Sequence, residues 1–398
     1  MKILYLVGAF PLISESFIVN QIVDMIDRKH NIKIFSTQAI PPPYHQSVIE
    51  HGLIEKTTFS YYLSHADSLK KTMKLMFSST TLFFSLPRLY FHIKLVERKS
   101  FNSSVLFLIE FLQKQKFDVV HVHFGFNAVL VERLKNMGLL KGAKFVTTFH
   151  GCDMHDVNKG LYDKLFSAGD LFTVNSEYSK SKLIKLGCSP ERIKTLPVGL
   201  DTFFFVKKQA SVNQGVFYLL FIGRLIELKA PDLLVRICVE LKRRAFSFKC
   251  VIIGDGELKE KLQSQIKELE LEKEVLLLGR LTQQQIIQEM QHADVFVYPG
   301  IYDKTGRAET QGLVIQEAQS MGLPVIVSNV GGVPEGLVNG ETGFVVEEKD
   351  IEGFVEKICR LYSDRDLCFN MGEKGREFVI KNYDSRVLGD RLEKLYLE

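Results

Sequence analysis

Cysteine is scarce and unpatterned in this chain. The six thiols among 398 residues (Cys152, Cys188, Cys238, Cys250, Cys359 and Cys368) form no C-x-x-C pair, keep no histidine at zinc spacing and build no dense framework. A disulfide scaffold and a thiolate metal centre are thereby excluded as organising principles, and scattered reduced thiols in a cytoplasmic setting are expected. Long apolar runs are also lacking: no stretch of about 18 uncharged apolar residues occurs, so no spanning helix is expected. Ile3 to Val7, after Met1-Lys2, is cut short by Pro11 and Glu15 and leads to no A-x-A-like cleavage site, so it reads as a first buried strand. Two nucleotide fingerprints are absent as well. Val7-Gly8-Ala9-Phe10-Pro11 lacks G-x-G-x-x-G, and Gly254-Asp255-Gly256 continues as Glu257-Leu258-Lys259 without the third glycine, which argues against a nicotinamide dehydrogenase. No G-x-x-x-x-G-K-[ST] is present, which argues against a P-loop nucleotidase.

What is present is an α/β pattern repeated twice. A chain of 398 residues, 46% hydrophobic and 25% charged, has the composition of a globular protein with two cores of about 150–200 residues each. Short β-branched runs alternate with longer helical patterns, the signature of βαβ units and a parallel sheet. Strands are expected at 2–7, 32–36, 118–123, 144–149, 171–174 and 193–196, with helices between them such as 14–29 and 127–137. The aperiodic polar stretch 207–215 (KKQASVNQG) reads as the linker. The pattern then restarts, with strands expected at 216–222, 249–253, 274–278, 294–298, 324–327 and 343–345.

The net charge of +4 conceals an asymmetry: residues 1–200 hold 25 Lys/Arg against 16 Asp/Glu, residues 201–398 hold 26 against 31. The first half is therefore suited to an anionic partner. From Lys70 to Lys99 seven basic residues and one acid (Glu97) interleave with Leu75, Phe77, Phe83, Phe84, Tyr90 and Phe91, with Pro87 dividing the segment. Such a segment suits peripheral contact with a membrane surface, and it equally suits a helical insertion with solvated charges.

Ligands of open α/β sheets bind beyond the carboxyl ends of the strands, so the residues that follow each strand carry the chemistry. After 216–222 come Gly223 and Arg224, then Lys229 five residues on, beside a helix that starts near Pro231. Two permanent cations and a helix N-terminus there would stabilise a phosphate, although an isolated G-R-x-x-x-x-K is also compatible with a solvated turn. After 294–298 the chain runs through Glu309-Thr310-Gln311-Gly312 into a helix that contains Glu317. A carboxylate accepts two sugar hydroxyls at once, and the free N–H groups of Gly312, Leu313 and Val314 at the helix start would face an anion.

The ordered set is more specific than its parts. Phe221 to Leu234, Ile253-Gly254-Asp255-Gly256-Glu257-Leu258, Leu278-Gly279-Arg280-Leu281, the pair Glu309 and Glu317, and Gly331-Gly332-Val333-Pro334-Glu335 together resemble the retaining glycosyltransferases called group 1, or family 4, across residues 216–346. The resemblance implies GT-B architecture: two Rossmann-like doubly wound parallel-sheet domains facing across a cleft. The first (1–203) would bind the acceptor and the second (204–381) the nucleotide-sugar donor, with the C-terminal helix 382–398 packing back on the first. It also implies roles. Arg224 and Lys229, in the loops with Gly223 and Gly254, would bind the donor diphosphate, Glu317 the ribose, Arg280 and Leu281 the nucleobase, and Glu309 the transferred sugar.

In the first half, Phe10-Pro11-Leu12-Ile13-Ser14-Glu15-Ser16-Phe17-Ile18 looks like the opening loop of family members that build exopolysaccharides, and Gly8, Ser14 and Glu15 are expected on the acceptor side. His150, in Phe149-His150-Gly151-Cys152-Asp153, matches a family histidine close to the reacting sugar, whereas His121 and His123 are expected to be ordinary buried strand histidines. Thr310-Gln311-Gly312 departs from the usual Gly-aromatic-Gly or Gly-Leu-Pro continuation after the first glutamate. The implied reaction is retaining transfer from a UDP-sugar, or a GDP-sugar, to a glycan or lipid-linked acceptor, with no cofactor, no metal requirement and no nucleic-acid partner. A GT-B protein that binds nucleotide sugar without transferring it, or a GT-B epimerase, are the alternative readings. Hinges are expected near 200–215 and 381–384.

Overall fold

A computed structural model describes residues 1–12, 15–60, 65–78, 103–206 and 215–398. They fall into two compact units, one made of Met1–Asn175, Lys180–Leu196 and Gly389–Glu398, the other of Ser176–Ser179 and Pro197–Leu388.

The first unit holds a parallel sheet of β1 (Lys2–Phe10), β2 (Asn31–Ala39), β3 (Thr57–Phe59), β4 (Val119–His123), β5 (Lys144–Phe149), β6 (Leu171–Val174) and β7 (Ile193–Thr195), in the order β3-β2-β1-β4-β5-β6-β7. The second holds β8 (Phe217–Ile222), β9 (Phe248–Ile253), β10 (Val275–Gly279), β11 (Val295–Tyr298), β12 (Val325–Ser328) and β13 (Gly343–Val346), all parallel, in the order β10-β9-β8-β11-β12-β13. Both orders run outward from the first strand and then reverse, at β1/β4 and at β8/β11. That reversal opens the crevice where doubly wound sheets bind ligands.

Strands buried on both faces are largely apolar, and the polar residues that the first sheet does bury, His121, His123, Thr147, Thr148 and Thr173 among them, lie on its central strands. Phe35, Phe145, Phe149 and Phe172 fill the core of the first unit; Phe217, Phe221, Phe296 and Tyr298 fill that of the second. The covering helices present apolar stripes at helical spacing. In Ile351–Ser363 the buried residues are Phe354, Val355, Ile358 and Leu361, and the side chain of Asp350 caps the start through the Gly353 N–H at 2.9 Å.

Each expected strand is present within three residues of its expected ends, and β3 is additional, too short to show a period in the sequence. β1 runs on to Phe10, because its pairing with β2 continues through Ala9↔Gln38 and Phe10↔Ala39. Gly8 therefore sits inside a strand rather than in the acceptor-side loop. Its carbonyl accepts from the hydroxyls of Ser36 (3.1 Å) and Thr37 (2.6 Å). The expected linker lies outside the described residues up to 214. Of the basic segment from Lys70 to Lys99, residues 79–99 lie outside them as well. In its described start, Lys71 is paired with Glu110 (2.6 Å) and lies over the Phe107 ring. No helix among the described residues is long and apolar enough to cross a membrane.

The helical pattern that ends at Tyr396 is broken at Asp384, into Arg365–Tyr383 and Ser385–Leu397. At the break Leu200 takes over the backbone pairing: its N–H donates to the Tyr383 carbonyl (3.0 Å) and its carbonyl accepts from the Ser385 N–H (2.9 Å). The buried Asp384 carboxylate accepts from the Thr202 hydroxyl (2.5 Å) and from Arg386 Nε and Nη2 (2.8 and 2.6 Å). Aspartate bonds local donors better than it propagates a helix, and here those donors are supplied.

The last ten residues belong to the first unit. Tyr396 is buried there, its hydroxyl hydrogen-bonded to Tyr5 (3.0 Å) and to His121 Nδ1 (2.6 Å). The opposite ring nitrogen of His121 lies 2.6 Å from the Thr148 hydroxyl, itself 2.6 Å from that of Thr173. Removing one member of such a network leaves buried polar groups unsatisfied, at about 1–3 kcal/mol. Tyr396→Phe is thus expected to lower stability by about that much, read as a shift in the urea midpoint with an unchanged slope.

Candidate functional site

In the second unit the loops that leave β8, β9 and β10 are laced together by their backbones. The Gly223 N–H donates to Ile253 (3.0 Å), the Leu225 N–H to Asp255 (3.0 Å) and the Gly254 N–H to Gly279 (2.9 Å). Gly254 has φ +143°, and a Cβ there would lie 1.8 Å from the Gly223 carbonyl oxygen. Glycine at 254 is thus required by the approach of two backbones, which fixes the place where Arg224 emerges. Arg224 is exposed. Arg280, just past β10, is also exposed and its Nε lies 3.1 Å from Asp255, while Leu281 packs against the core.

Lys229 closes a short 3₁₀ turn (Glu227–Lys229) before the helix Pro231–Arg243. Its ammonium donates to Glu309 Oε2 and lies 5.1 Å from the centroid of the Tyr298 ring. The Tyr298 hydroxyl donates to the same carboxylate oxygen (3.1 Å), and the Thr310 N–H reaches Oε1 (3.2 Å). Burial raises the Glu309 carboxyl, but the Lys229 charge and these hydrogen bonds outweigh it and hold it below the usual carboxylate range. The backbone at Glu309 and Thr310 is clamped from below. The Gly332 N–H donates to the Glu309 carbonyl (2.9 Å), and a Cβ on Gly332 would stand 2.0 Å from the Thr310 oxygen. The Gly331-Gly332 pair is therefore part of what aims Glu309.

Gly312, in a left-handed conformation, starts the helix Leu313–Ser320, whose first turn, with Leu313 and Val314, has no side-chain cap. One turn inside, Glu317 is half-buried with no ion pair or side-chain hydrogen bond among the described residues, and burial pushes its carboxyl up to about 7. Gln311, which departs from the family pattern, turns away from this group. Its amide oxygen accepts from the Val198 N–H (2.8 Å) and its amide nitrogen donates to the Val198 carbonyl (2.9 Å). Gly223, Arg224, Lys229, Gly254, Glu309 and Glu317 thus gather around the reversal between β8 and β11, and Tyr298 joins them. The sequence signal for Tyr298 was only its place as the last residue of a buried strand.

In the first unit His150 follows β5. The buried Asp153 shapes that turn, its carboxylate accepting from the N–H groups of His150 (3.0 Å), Gly151 (2.9 Å) and Gly125 (2.8 Å). The His150 ring lies against Phe17 (4.9 Å) and Phe124 (4.6 Å) and stacks on His123 at 5.2 Å. His150 Nε2 and His123 Nδ1 are 3.0 Å apart, so one imidazole donates to the other. His121 and His123 are both buried and hydrogen-bonded, as expected, and the partner of His123 is His150 itself. Burial pushes His121 and His150 down to about 3 and holds His123 well below its ordinary value, so all three are neutral near pH 7. Glu15 lies nearby, pushed up to about 7 by burial. Ser14 lies outside the described residues. Among the described residues no three of His, Cys, Asp or Glu come together as a metal site.

The family model described as Glycosyl transferases group 1 matches residues 203–378, and that described as Glycosyltransferase Family 4 matches residues 78–203. The chain is 30% identical over 380 residues to the amylovoran biosynthesis glycosyltransferase AmsK of Erwinia amylovora, covering 91% of this chain and 90% of that one. It is 26% identical to the putative colanic acid biosynthesis glycosyltransferase WcaL of Salmonella typhimurium, with 99% of each chain covered. Among solved structures, HepE of Anabaena in complex with UDP and glucose superimposes with a TM-score of 0.74 at 15% identity, over the whole of both chains. At that identity the likeness establishes the fold, which is GT-B.

The folded state keeps the Glu317 proton to a higher pH than the unfolded chain does. Raising the pH from about 4.3 to about 7 draws that proton from the unfolded chain first, and stability falls across that window. Glu317→Gln is therefore expected to be more stable than the native protein at pH 8, by about 1–3 kcal/mol, with the gap closing toward pH 4. Chemical denaturation at several pH values checks it.

Proposed function

The chain belongs to the group 1 glycosyltransferases of family 4, and from that premise we propose that it is a retaining hexosyltransferase of exopolysaccharide or related surface-glycan synthesis. The donor is a nucleoside diphosphate sugar, UDP-linked in preference to GDP-linked, and the acceptor is a glycan or a lipid-linked glycan. Amylovoran and colanic acid appear in the names of the relatives AmsK and WcaL, and UDP in the HepE complex, which supports this reading.

The observation that carries it is the group at the β8/β11 reversal: an open Arg224, Lys229 in reach of Glu309, and a half-buried carboxyl at Glu317 with no ion pair or side-chain hydrogen bond among the described residues. Arg224, Lys229 and the first turn of Leu313–Ser320 bind the diphosphate and stabilise its charge as it departs, so no metal requirement is expected. Glu317 takes the ribose hydroxyls, and the loop of Arg280 and Leu281 lies along the base. Glu309 accepts hydrogen bonds from the transferred sugar, and His150 acts in catalysis as a neutral hydrogen-bonding group of the first unit. In a front-face displacement the C1–O bond to the diphosphate breaks as the acceptor oxygen bonds the same face, and the leaving phosphate takes the acceptor proton. The basic first half suits an anionic or membrane-borne acceptor, with peripheral membrane contact through the segment from Lys70 to Lys99.

Calorimetric titration with UDP, GDP and ADP, with and without EDTA, tests the donor site. One nucleotide is expected to bind tightly, insensitive to EDTA, and to lose at least tenfold in Kd (about 1.4 kcal/mol) in Glu317→Ala. His150→Ala is expected to keep that binding while transfer falls by about 10²-fold or more. Absence of binding by all three nucleotides would overturn the site. Binding without transfer or hydrolysis would mark a non-catalytic relative, and release of an epimerised free sugar would mark an epimerase.

A further inference from the structure

We propose that Glu309 competes with the donor diphosphate for Lys229, and that Tyr298 is the positioning residue that holds the Glu309 carboxylate when the diphosphate takes the lysine away. The proposal rests on the donor-site reading above.

The two cations of the site are in different states. Arg224 is exposed and makes no ion pair among the described residues, so it is open to an incoming phosphate. Lys229 is largely enclosed, its side chain 14% exposed, and its ammonium is committed to Glu309, which is 19% exposed. A lysine ammonium is a single charge on a flexible four-carbon stem, able to pivot between acceptors, whereas the Glu309 backbone is held by the Gly332 N–H and its carboxylate by the Thr310 N–H. When a diphosphate with more than one negative charge comes within reach, the lysine therefore moves and the carboxylate stays.

The carboxylate is not left bare. The Tyr298 hydroxyl remains on Oε2 and the Thr310 N–H on Oε1. Burial, and after it the charge on Glu309, holds the ionisation of the phenol well above the ordinary value, so it stays a donor at any working pH. With the Lys229 ammonium turned to the diphosphate, Glu309 Oε2 is freed for the sugar, with the Tyr298 hydroxyl and the Thr310 N–H as the donors that remain to offset its burial, only when a diphosphate is in place. Binding of the nucleotide and arming of the sugar-facing carboxylate thus become one event, with the cost of breaking the ion pair subtracted from nucleotide affinity.

The competition makes a prediction opposite to that of a simple sugar-binding role. In calorimetry with the nucleoside diphosphate that the native chain binds, Glu309→Gln is expected to bind about threefold or more tighter while transfer collapses. Glu309→Asp, one methylene shorter, should tighten binding in the same direction by a smaller factor, and serves should Glu309→Gln not fold. Tyr298→Phe is expected to leave diphosphate affinity and the donor KM within about twofold while kcat falls about tenfold or more, a split that loss of structure would not give. Lys229→Ala should weaken binding about tenfold or more. If Lys229→Ala weakens binding and neither Glu309 variant tightens it, the competition is refuted and the donor site stands. If Lys229→Ala binds as the native chain does, the donor-site reading itself is refuted, and this inference with it.

Discussion

The ion pair between Lys229 and Glu309 is the constraint around which the second unit is arranged. An enclosed carboxylate and ammonium are tolerable only when each satisfies the other and the remaining lone pairs find donors. That requirement accounts for the Tyr298 hydroxyl, for the Thr310 N–H and for the glycine pair that lets the chain pass beneath them. It also ties residues far apart in sequence to one place. Lys229 leaves the turn after β8 and Glu309 the loop after β11, and these strands are neighbours because the sheet order reverses between them. The same reversal in the first unit places His123 at the end of β4, and His150 follows the adjacent β5.

The two units use different physics at their carboxyl edges. In the second, Arg224 and Lys229 carry permanent charges, Glu309 is held ionised by pairing, and Glu317 is pushed toward its neutral form by burial. In the first, the histidines are neutral, stacked and hydrogen-bonded, so His150 is a directed polar contact rather than a charge. Its surroundings extend to the end of the chain. Tyr396 bonds His121, His121 stacks on His123 at 4.6 Å, and His123 bonds His150. The C-terminal segment thereby bears on a candidate site residue that it does not touch.

Much of this was legible in the sequence, for reasons particular to each element. Parallel strands buried on both faces leave β-branched runs with clear ends, so β5 and β6 were placed to the residue and the others within a turn. Arg224, Lys229, Glu309 and Glu317 were legible because their spacing with the glycine motifs is distinctive as a set. Tyr298 was not, because an aromatic at the end of a buried strand reads as core, and its hydroxyl acquires meaning only when Glu309 arrives eleven residues later. His123 was read as a buried strand histidine, which it is, but its pairing with His150 was not legible, because the sequence shows only that it shares a strand with His121 and not that His150 comes alongside from β5. Gly8 read as loop because glycine and the following Phe10-Pro11 suggest a turn, yet pairing with β2 carries the strand through it. The break at Asp384 depends on Leu200 and Thr202, which no local helical pattern contains.

Amide hydrogen exchange of the full chain, with and without a saturating nucleoside diphosphate, tests the central claim most directly, that the ligand sits at the β8/β11 reversal. Slowed exchange is predicted at residues 223–229 and 309–317, with the edge strand β13 unchanged. Protection confined to other parts of the second unit, or no protection with the nucleotide demonstrably bound, would contradict it.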